Sequence, residues 1–357
     1  MAGITQAGFY TPAETENLFG KLVQAAATNM GRFTVRDDFS AEIGDYLYRE
    51  APLWSRIPKE AAEADLVKEI RQSALPQVGF SSKQDLNSGP RQPAGNRNDL
   101  TDPGQEVKAV SGFLDWSHYS RSLYQQQGRP YGDQVAKDTD DMLRSTAQAL
   151  EMGIMSGNAT ANALEFNGVA QQLPASHIIP GSVVGATPDN IGQRLCEVVT
   201  RAMASRKYSR RITDIFCSGS GFNLLQKEVE NKRLYIQTVE VMPGLALPGI
   251  LTPAGLVPIT MTPFLDDVPA SGGVTTDTIR FYLIDINSLR WKGVLPFGGL
   301  NTFDPQIFDV TSYVDNVPLT EQRMVICYGT LYAMNRGDGI WRLDISAPAG
   351  TAWNYAA

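Results

Sequence analysis

The chain has 357 residues, of which 43% are hydrophobic and 19% charged, and its formal net charge at pH 7 is -7. At roughly 100–200 residues per domain, this length predicts one large or two to three ordinary domains with a sizeable core. A small scaffold held by disulfides or a metal is excluded. The charged fraction lies below the usual value of about 25%, and the 32 Gly and 21 Pro favour strands and ordered loops whose surface is covered by neighbours.

The cysteine and histidine content excludes most metal and redox chemistry. Cys196, Cys217 and Cys327 are widely spaced and form no Cys-x-x-Cys pair, so we expect reduced core thiols rather than disulfides or a zinc site. His118 and His177 are too few for a multi-histidine metal centre. No Gly-x-Ser-x-Gly, Walker or His-Glu-x-x-His motif occurs. We therefore predict no catalytic, cofactor-binding or metal-binding residues and no cofactor.

No secretory signal or membrane-spanning segment is readable in the sequence. The first six residues show no basic region followed by an apolar stretch. The apolar runs at residues 245–251 and 281–284 are far shorter than the ~20 residues that cross a bilayer. We expect a chain that stays in a soluble, reducing compartment and has no membrane partner.

The first part of the chain contains two segments that do not look like a core. Residues 1–50 show short helical patterns at 12–27 and 40–48, which is typical of an N-terminal arm that needs a surface to lie on. Residues 79–105 are rich in Gly, Pro and Asn and have almost no apolar side chains. Unstructured stretches beyond about 12–15 residues are usually binding loops or disordered inserts. Because plausible strands at 66–71 and 106–110 flank this one, we interpret it as a long two-stranded arm, with a disordered surface loop as the alternative.

The clearest element is a helix at residues 133–156. Asp133 is a plausible N-cap, and Gly157 followed by Asn158 ends the helix. Apolar and small side chains recur at spacings of three and four and form one stripe: Val135, Thr139, Met142, Leu143, Thr146, Ala147, Leu150 and Ile154. At about 1.5 Å per residue the helix is roughly 33 Å long.

The second half of the chain predicts an α/β region followed mainly by strands. Thr187 and Pro188 have the residue types of an N-cap and first helical position, ahead of an apolar stripe from Ile191 to Met203. A buried strand at 212–217, a turn and helix cap at 218–221 and a helix at 222–233 follow. Residues 249–260 predict a hairpin that turns at Pro253 and Gly255. Further strands are predicted at 279–287, 288–295, 307–314, 324–334 and 339–345. The fold class is α+β, without repeats.

This order of elements resembles the major capsid protein of tailed double-stranded DNA bacteriophages, the Hong Kong 97-type fold, across essentially the whole chain. Residues 150–158, followed by Phe166-Asn-Gly-Val, are similar to the end of that family's spine helix and the short motif after it. Residues 249–259 resemble the hairpin of its axial domain, and 281–285 the strand that follows. None of these runs is a catalytic signature with fixed spacing, so the resemblance is one of architecture.

The resemblance implies a division of the chain into regions. The expected regions are an N-terminal arm and the start of a peripheral domain at 1–60, an extended β-hairpin loop at 61–112, a peripheral domain with the spine helix at 113–177, an α/β axial domain at 178–303, and a return to the peripheral domain at 304–357.

The resemblance also implies the function. The chain would assemble as hexamers and pentamers into an icosahedral shell around double-stranded DNA, without sequence-specific DNA binding. It implies scaffolding and portal partners, decoration or cement proteins in some members, and a place in the virion after assembly in the bacterial cytoplasm. Since about a hundred residues of fused scaffold are absent before the arm, we expect a separate scaffolding protein or a removed pro-segment.

Several local patterns invite sharper interpretations that we do not favour. Some members of the family form a Lys–Asn isopeptide bond with a Glu as proton acceptor; Lys83, Asn316 and Glu321 would be the residues, but most members do not cross-link. The basic cluster at 206–211 lies at a predicted helix C-terminus, where cations complement the helix dipole. Two further patterns are read as ordinary structure: Asp266 and Asp267 as a solvated loop rather than a metal site, and Arg336-Gly337-Asp338 as a turn.

Two rival functions remain open from the sequence. An encapsulin-like compartment shell would have the same fold and would enclose cargo enzymes instead of a genome. A soluble α+β enzyme would form a small oligomer with a substrate pocket.

Overall fold

The computed structural model describes residues 51–68, 71–72, 98–99, 104–117, 131–185, 189–204, 211–232, 237–242, 245–265, 267–271, 274–296, 302–314 and 317–353. The described helices are α1 Pro52–Arg56, α2 Tyr131–Ser156, α3 Val169–Gln172, α4 Ile191–Met203 and α5 Gly219–Lys232. The described strands, in chain order, are β1 Lys59–Ala61, β2 Leu66–Val67, β3 Arg71–Gln72, β4 Asn98–Asp99, β5 Gln105–Glu106, β6 Lys108–Ser117, β7 Ile178–Ser182, β8 Asp214–Cys217, β9 Gln237–Met242, β10 Leu245–Thr252, β11 Gly255–Met261, β12 Thr276–Ile284, β13 Leu289–Val294, β14 Gln306–Val314, β15 Val317–Ala333 and β16 Ile340–Pro348.

The chain divides into two compact units, which we call unit 1 and unit 2. The described residues of unit 1 lie within 111–147 and 305–326, and those of unit 2 within 52–110, 148–304 and 327–353. Each unit is described by itself below.

A seven-stranded mixed sheet forms the larger part of unit 2. Its strand order is β7-β16-β12-β8-β11-β10-β9. The longest ladder joins β12 and β16, antiparallel over nine residue pairs from Thr276↔Pro348 to Ile284↔Ile340. All four side chains of β8 are buried. This burial fits a short apolar run in the middle of a sheet that is covered on both faces.

Helices α4 and α5 contribute buried side chains to the apolar core of this sheet. Alternate residues of β12 and β16 point into this core, as the period of two in a strand requires: Ile279, Phe281 and Leu283, with Leu343, Ile345 and Ala347. The predicted apolar stripe of α4 is confirmed, since Ile191, Leu195, Val198, Val199 and Ala202 are all buried in the same cluster. The periodic patterns in the sequence therefore identify the correct faces.

Two predicted helix starts are wrong. The N-cap of α4 is Asn190, whose Oδ1 accepts a hydrogen bond from the Gln193 amide at 3.1 Å, and not Thr187, which lies outside the described residues. Helix α5 begins at Gly219 rather than Phe222; the cap predicted within 218–221 is Ser218, which accepts from the Gly221 amide at 3.0 Å, so the helix starts directly after it. In both cases the nearest strong cap, a side chain that can accept from the first turn, decides the boundary.

Some strands also begin or end at residues other than the predicted ones, and the causes are local. β12 stops at Ile284, before the predicted end, because Asp285 accepts from the Asn287 amide and starts a tight turn over Ile286–Ser288. β15 starts at Val317 instead of 324, since Pro318 sits opposite an irregularity in β14, a position where a strand tolerates proline. β16 runs on to Pro348. The hairpin of β10 and β11 is confirmed, with Gly255 at φ +109 closing the turn.

A second, smaller layer of unit 2 consists of β1, β13 and residues 327–333 of β15. β1 pairs parallel with β13, and β13 pairs antiparallel with β15 from Leu289↔Ala333 to Val294↔Tyr328. The Trp291 ring, fully buried, lies over Gly329 of β15. A Cβ at position 329 would lie 2.3 Å from two atoms of that ring, so only glycine fits beneath it.

Unit 1 places residues 131–147 of α2 against one face of β6, β14 and β15. The contact contains Met142 and Leu143 from the helix and Leu114, Ile307 and Val325 from the strands. Two hydrogen bonds border it: Trp116 Nε1 donates to Asp138 Oδ2 at 3.0 Å, and Arg323 Nη1 donates to Thr139 Oγ1 at 2.8 Å. The predicted long helix is confirmed; it begins two residues earlier than predicted, so Asp133 is not its N-cap.

Replacing Gly329 by Ala should lower the free energy of unfolding by about 1–3 kcal/mol, because the added methyl group overlaps a tryptophan ring with no room to move. Urea denaturation of unassembled protein measures the change. Gly192→Ala is the matched control, since a Cβ there meets only ordinary contacts from 3.4 Å and improves helix propensity. Equal stability of the Gly329→Ala variant and the native chain would contradict the packing described here.

Candidate assembly surfaces

The base of a two-stranded arm is present in unit 2. β2 pairs antiparallel with β5 through Leu66↔Glu106 and Val67↔Gln105, and β3 pairs antiparallel with β4 through Arg71↔Asp99 and Gln72↔Asn98. The two flanks of the polar stretch therefore run side by side, as the sequence predicts for an arm. Gly104 has a φ of +81. A Cβ at this position would lie only 2.9 Å from the Leu66 side chain, so the close approach of the two segments requires glycine. Residues 73–97, which include the predicted tip, lie outside the described residues.

A buried carboxylate holds the chain where the N-terminal segment enters unit 2. Glu151, near the end of α2, is fully buried. Its Oε1 accepts a hydrogen bond from the Leu53 amide at 3.2 Å and its Oε2 accepts one from the Trp54 amide at 3.1 Å. These amides are at the start of α1, where the first backbone N–H groups have no partner inside the helix. Glu151 therefore acts as a cap supplied by a residue almost a hundred positions away.

Burial raises the pKa of Glu151 to about 7, although the two amides and the positive charge of Arg56 act in the opposite direction. Removing water from the carboxylate outweighs the two hydrogen bonds and the nearby charge. The folded state therefore binds a proton more tightly than the unfolded chain does.

Aromatic and ionic contacts extend the attachment of α1. The Trp54 and Trp291 rings meet edge to face with centroids 4.6 Å apart, and Phe166 meets Trp291 in the same way at 5.3 Å. Arg56 forms an ion pair with Asp214 at the start of β8, and both side chains are largely buried. Helix α1 is thus fixed to α2, to β13 and to the large sheet within unit 2.

A densely hydrogen-bonded loop follows α2 at residues 157–168. Its two ends are joined by the Gly168 amide, which donates to the Gly157 carbonyl at 2.8 Å. Inside the loop, Glu165 Oε2 accepts from the Asn158 amide at 3.1 Å, and Asn162 Oδ1 accepts from the Leu164 amide at 3.1 Å. These bonds hold the backbone in one shape, while the Leu164 side chain is 82% exposed. A rigid loop that displays an apolar side chain loses little entropy when it is covered.

The same loop touches the base of the arm. Asn167 accepts from the Ala159 amide at 3.1 Å through Oδ1, and its Nδ2 donates to Gln105 Oε1 at 3.0 Å. Gln105 belongs to β5, so the loop after the long helix and the root of the arm form one polar contact.

Two aspartates hold loops against the large sheet, and one of them, Asp277, binds the end of the described chain. Asp277 of β12 accepts from the Ala270 and Ala352 amides, each at 2.7 Å, and the Ala352 amide is the main cause of its lowered pKa. Asp267 accepts from Ser218 Oγ at 2.5 Å and from the Arg280 amide at 3.1 Å. Asp267 is therefore a loop residue, as expected, but it is partly buried and hydrogen-bonded rather than solvated; Asp266 lies outside the described residues.

The other residues singled out in the sequence have structural positions or lie outside the described residues. Cys217 is fully buried in β8, and burial raises the pKa of its thiol to about 12, so it is not a nucleophile at neutral pH. His177 stacks on Trp341 with ring centroids 4.0 Å apart. Met334–Gly337 forms the predicted turn, with Gly337 at φ +75. Lys83, His118, Asn316 and residues 206–210 are outside the described residues.

Within the described residues, no group of three or more His, Cys, Asp or Glu side chains is arranged to hold a metal ion. None of the described helices has the length and apolar character that a membrane span needs.

Sequence reasoning missed the role of Glu151, although a signal was present. It is the one charged side chain in the apolar stretch 147–155, between the buried residues Ala147, Leu150 and Ile154. A carboxylate on the buried stripe of a helix predicts a fixed partner, because an unpaired buried charge is strongly destabilising. The identity of that partner could not be read from the sequence.

Comparison with solved structures identifies the fold. One match is the holo-SrpI encapsulin complex from Synechococcus elongatus PCC 7942, with a TM-score of 0.54 and 13% identity over 86% of this chain and 92% of that one. Another is a protein of Microbacterium phage Oxtober96, with a TM-score of 0.51 and 10% identity over 83% and 90% of the two chains. A third, from Mycobacterium phage Bobi, has a TM-score of 0.50 and 8% identity over 84% and 90%.

These structural neighbours are mostly phage capsid proteins of the Hong Kong 97 type, and the chain has that fold. The sequence itself matches no protein-family model, and it matches no curated protein. At such low identities the likeness is carried by the arrangement of elements rather than by shared residues.

The stability of the folded chain should fall as the pH rises from about 5 to about 8, in part because of Glu151. A group with a raised folded-state pKa stabilises the fold below its unfolded pKa, and this contribution is lost as the pH passes the folded value of about 7. Glu151→Gln cannot ionise, so this component of the pH dependence, with an upper limit of about 3 kcal/mol, should disappear. Urea unfolding at both pH values measures it.

The matched control is Glu197→Gln on α4, where Arg194 and Arg201 hold the pKa of the partly exposed carboxyl below its usual range. This variant should keep the native pH dependence between about 5 and 8. An unchanged pH dependence in Glu151→Gln would show that Glu151 does not titrate in this range.

Proposed function

We propose that this chain is the major capsid protein of a tailed double-stranded DNA bacteriophage. Copies assemble as hexamers and pentamers into an icosahedral shell that encloses DNA, and the chain performs no catalysis. The observation that carries the proposal is the Hong Kong 97-type fold over more than four fifths of the chain, with mostly phage capsid proteins among the neighbours.

Three features of the described residues support a subunit that is completed by its neighbours. The antiparallel ladders of β2–β5 and β3–β4 start an arm whose polar remainder cannot bury enough apolar surface to order itself. The loop at 157–168 and the hairpin of β10 and β11 display Leu164 and Leu251, the latter 69% exposed. Head-to-tail contacts between identical subunits close into rings when the rotation between them permits it.

The proposal extends to partners and location. Scaffolding and portal proteins assist assembly, decoration or cement proteins bind the finished shell where the phage has them, and the shell becomes part of the virion after assembly in the host cytoplasm. The net charge of -7 supports a wall that encloses DNA without holding it, because tight DNA binding requires a concentrated basic surface. The regions expected from the resemblance, including the axial domain at 178–303 and the extended loop at 61–112, belong to the same proposal.

A compartment shell is the second candidate, favoured by the match to the encapsulin complex, which covers 86% of this chain. The two candidates differ in contents and not in fold. A phage shell holds nuclease-resistant double-stranded DNA, whereas a compartment of the encapsulin kind would hold a co-purifying protein.

The test begins with the chain expressed alone and with the protein of a neighbouring gene that could act as scaffold. Negative-stain electron microscopy should show rings, sheets or closed shells. Small oligomers under every condition would contradict both shell functions and favour the soluble enzyme.

The contents of particles isolated from their natural source then decide between the two shells. Nuclease-protected double-stranded DNA of uniform length is expected. Particles that contain a specific enzyme and no DNA would overturn the phage assignment and establish the compartment.

A further inference from the structure

Helix α1 is five residues long, little more than one turn, so few hydrogen bonds inside it can hold it in place. Its first amides, those of Leu53 and Trp54, donate to the two carboxylate oxygens of Glu151 on α2 at 3.2 and 3.1 Å. Leu53 and Trp54 are fully buried, and so is Glu151. The two amides can therefore exchange Glu151 for water only when α1 moves away from α2.

The strength of this contact depends on whether the Glu151 carboxyl group carries a proton. The neutral group costs little to bury. The ionised group has lost its hydration, and two backbone amides and the charge of Arg56 replace it only in part, since burial raises the pKa of Glu151 to about 7. Water would solvate the ionised group if α1 moved away. Loss of the proton therefore weakens the attachment of α1 relative to an open state.

We infer that Glu151 makes the attachment of α1 to α2 dependent on pH within an otherwise folded unit 2. When Glu151 holds its proton, α1 stays in place. When the proton is lost, α1 separates from α2 more often, and Trp54 then leaves Trp291. The ion pair of Arg56 with Asp214 opens in the same movement. This device belongs to the single chain and does not depend on the proposed function.

Helix α1 joins the large sheet to α2 and to β13, but it is not part of the sheet itself. β12 pairs with β16 through nine residue pairs and with β8 through four. Among the described residues of the apolar core of this sheet, none comes from α1. Parts of a protein that share few contacts can open separately. The strand ladders can therefore stay paired while α1 moves.

The charged groups near α1 set the pH at which its attachment weakens. Arg56 acts on Glu151 from α1 and favours the ionised form. Its ion pair with Asp214 of β8 reduces that action, because an opposite charge lies beside it. Lys59, just after α1, pairs with Asp304. The aromatic side chains that β13 and the loop after α2 contribute to this contact carry no charge.

Amide hydrogen exchange tests the inference, because the Leu53 and Trp54 amides exchange only when their bonds to Glu151 break. Exchange of the unassembled full-length protein is followed at pH 5 and pH 8 by mass spectrometry with single-residue fragmentation. Each rate is divided by the rate of an unstructured peptide at the same pH. We expect the protection of these two amides to fall by roughly 50- to 100-fold between the two pH values, as a carboxyl pKa raised to about 7 in the attached state requires.

The variant Glu151→Gln cannot lose a proton. The protection of the Leu53 and Trp54 amides should then be the same at pH 5 and pH 8, whatever its absolute level. Should this variant fail to fold, a comparison of two pairs of amides within the native chain decides.

The second pair is the matched control. The Ala270 and Ala352 amides also donate to a carboxylate, that of Asp277, but its pKa is lowered, so it stays ionised at both pH values. These amides lie in a loop and near the end of the described chain, where local opening is easier than unfolding of the sheet. Their protection should not change with pH.

Three results would overturn the inference. Unchanged protection of the Leu53 and Trp54 amides between pH 5 and pH 8 would exclude a pH-dependent attachment. Protection at pH 8 equal to that of the Phe281 amide, in the middle of the large sheet, would show that α1 is released only when unit 2 unfolds. A pH dependence that persists in Glu151→Gln would assign it to another group.

Discussion

The contact on which the rest of unit 2 depends is the one between the Glu151 carboxylate and the amides of Leu53 and Trp54. Burial removes water from this carboxylate at a cost that the two hydrogen bonds offset only in part, which is why its pKa is raised, and both oxygens accept a backbone amide. Those bonds fix the direction in which the chain leaves α1. That direction places Trp54 against Trp291 and Arg56 beside Asp214, so the long helix, the small layer and the large sheet share one point of attachment.

The sequence predicted what depends on local spacing and missed what depends on distant partners. The stripe of α4 and the alternation in β16 were readable because their periods of 3.6 and 2 are written in consecutive residues. The boundary at Asn190 was missed because two competing cap signals lie close together. The partners of Glu151, Gly329 and Asp267 could not be predicted, since each is a residue that only the tertiary structure brings near.

The exposed side chains of the structure help to explain the low charged fraction of the sequence. The low charged fraction does not come only from a large core, since apolar side chains such as Phe113, Leu164 and Leu251 are well exposed. Leu164 is held out by a loop in which Asn158, Asn162 and Glu165 hydrogen-bond the backbone. A surface fixed in advance in this way binds with a smaller entropy loss. On the proposed function, these exposed apolar side chains are contact surfaces for other copies of the chain.

Fold likeness at 8–13% identity shows that few individual residues are required for this architecture. In this chain the architecture includes a long helix packed on one face of a sheet, and a glycine, Gly329, where the Trp291 ring lies against a strand. Within the part of the chain that the structure describes, Phe113 on the sheet of unit 1 is 63% exposed, so part of the apolar surface of this sheet is still in contact with water. On the proposed function, exposed apolar side chains of this kind favour assembly, since their surface leaves water when copies of the chain meet.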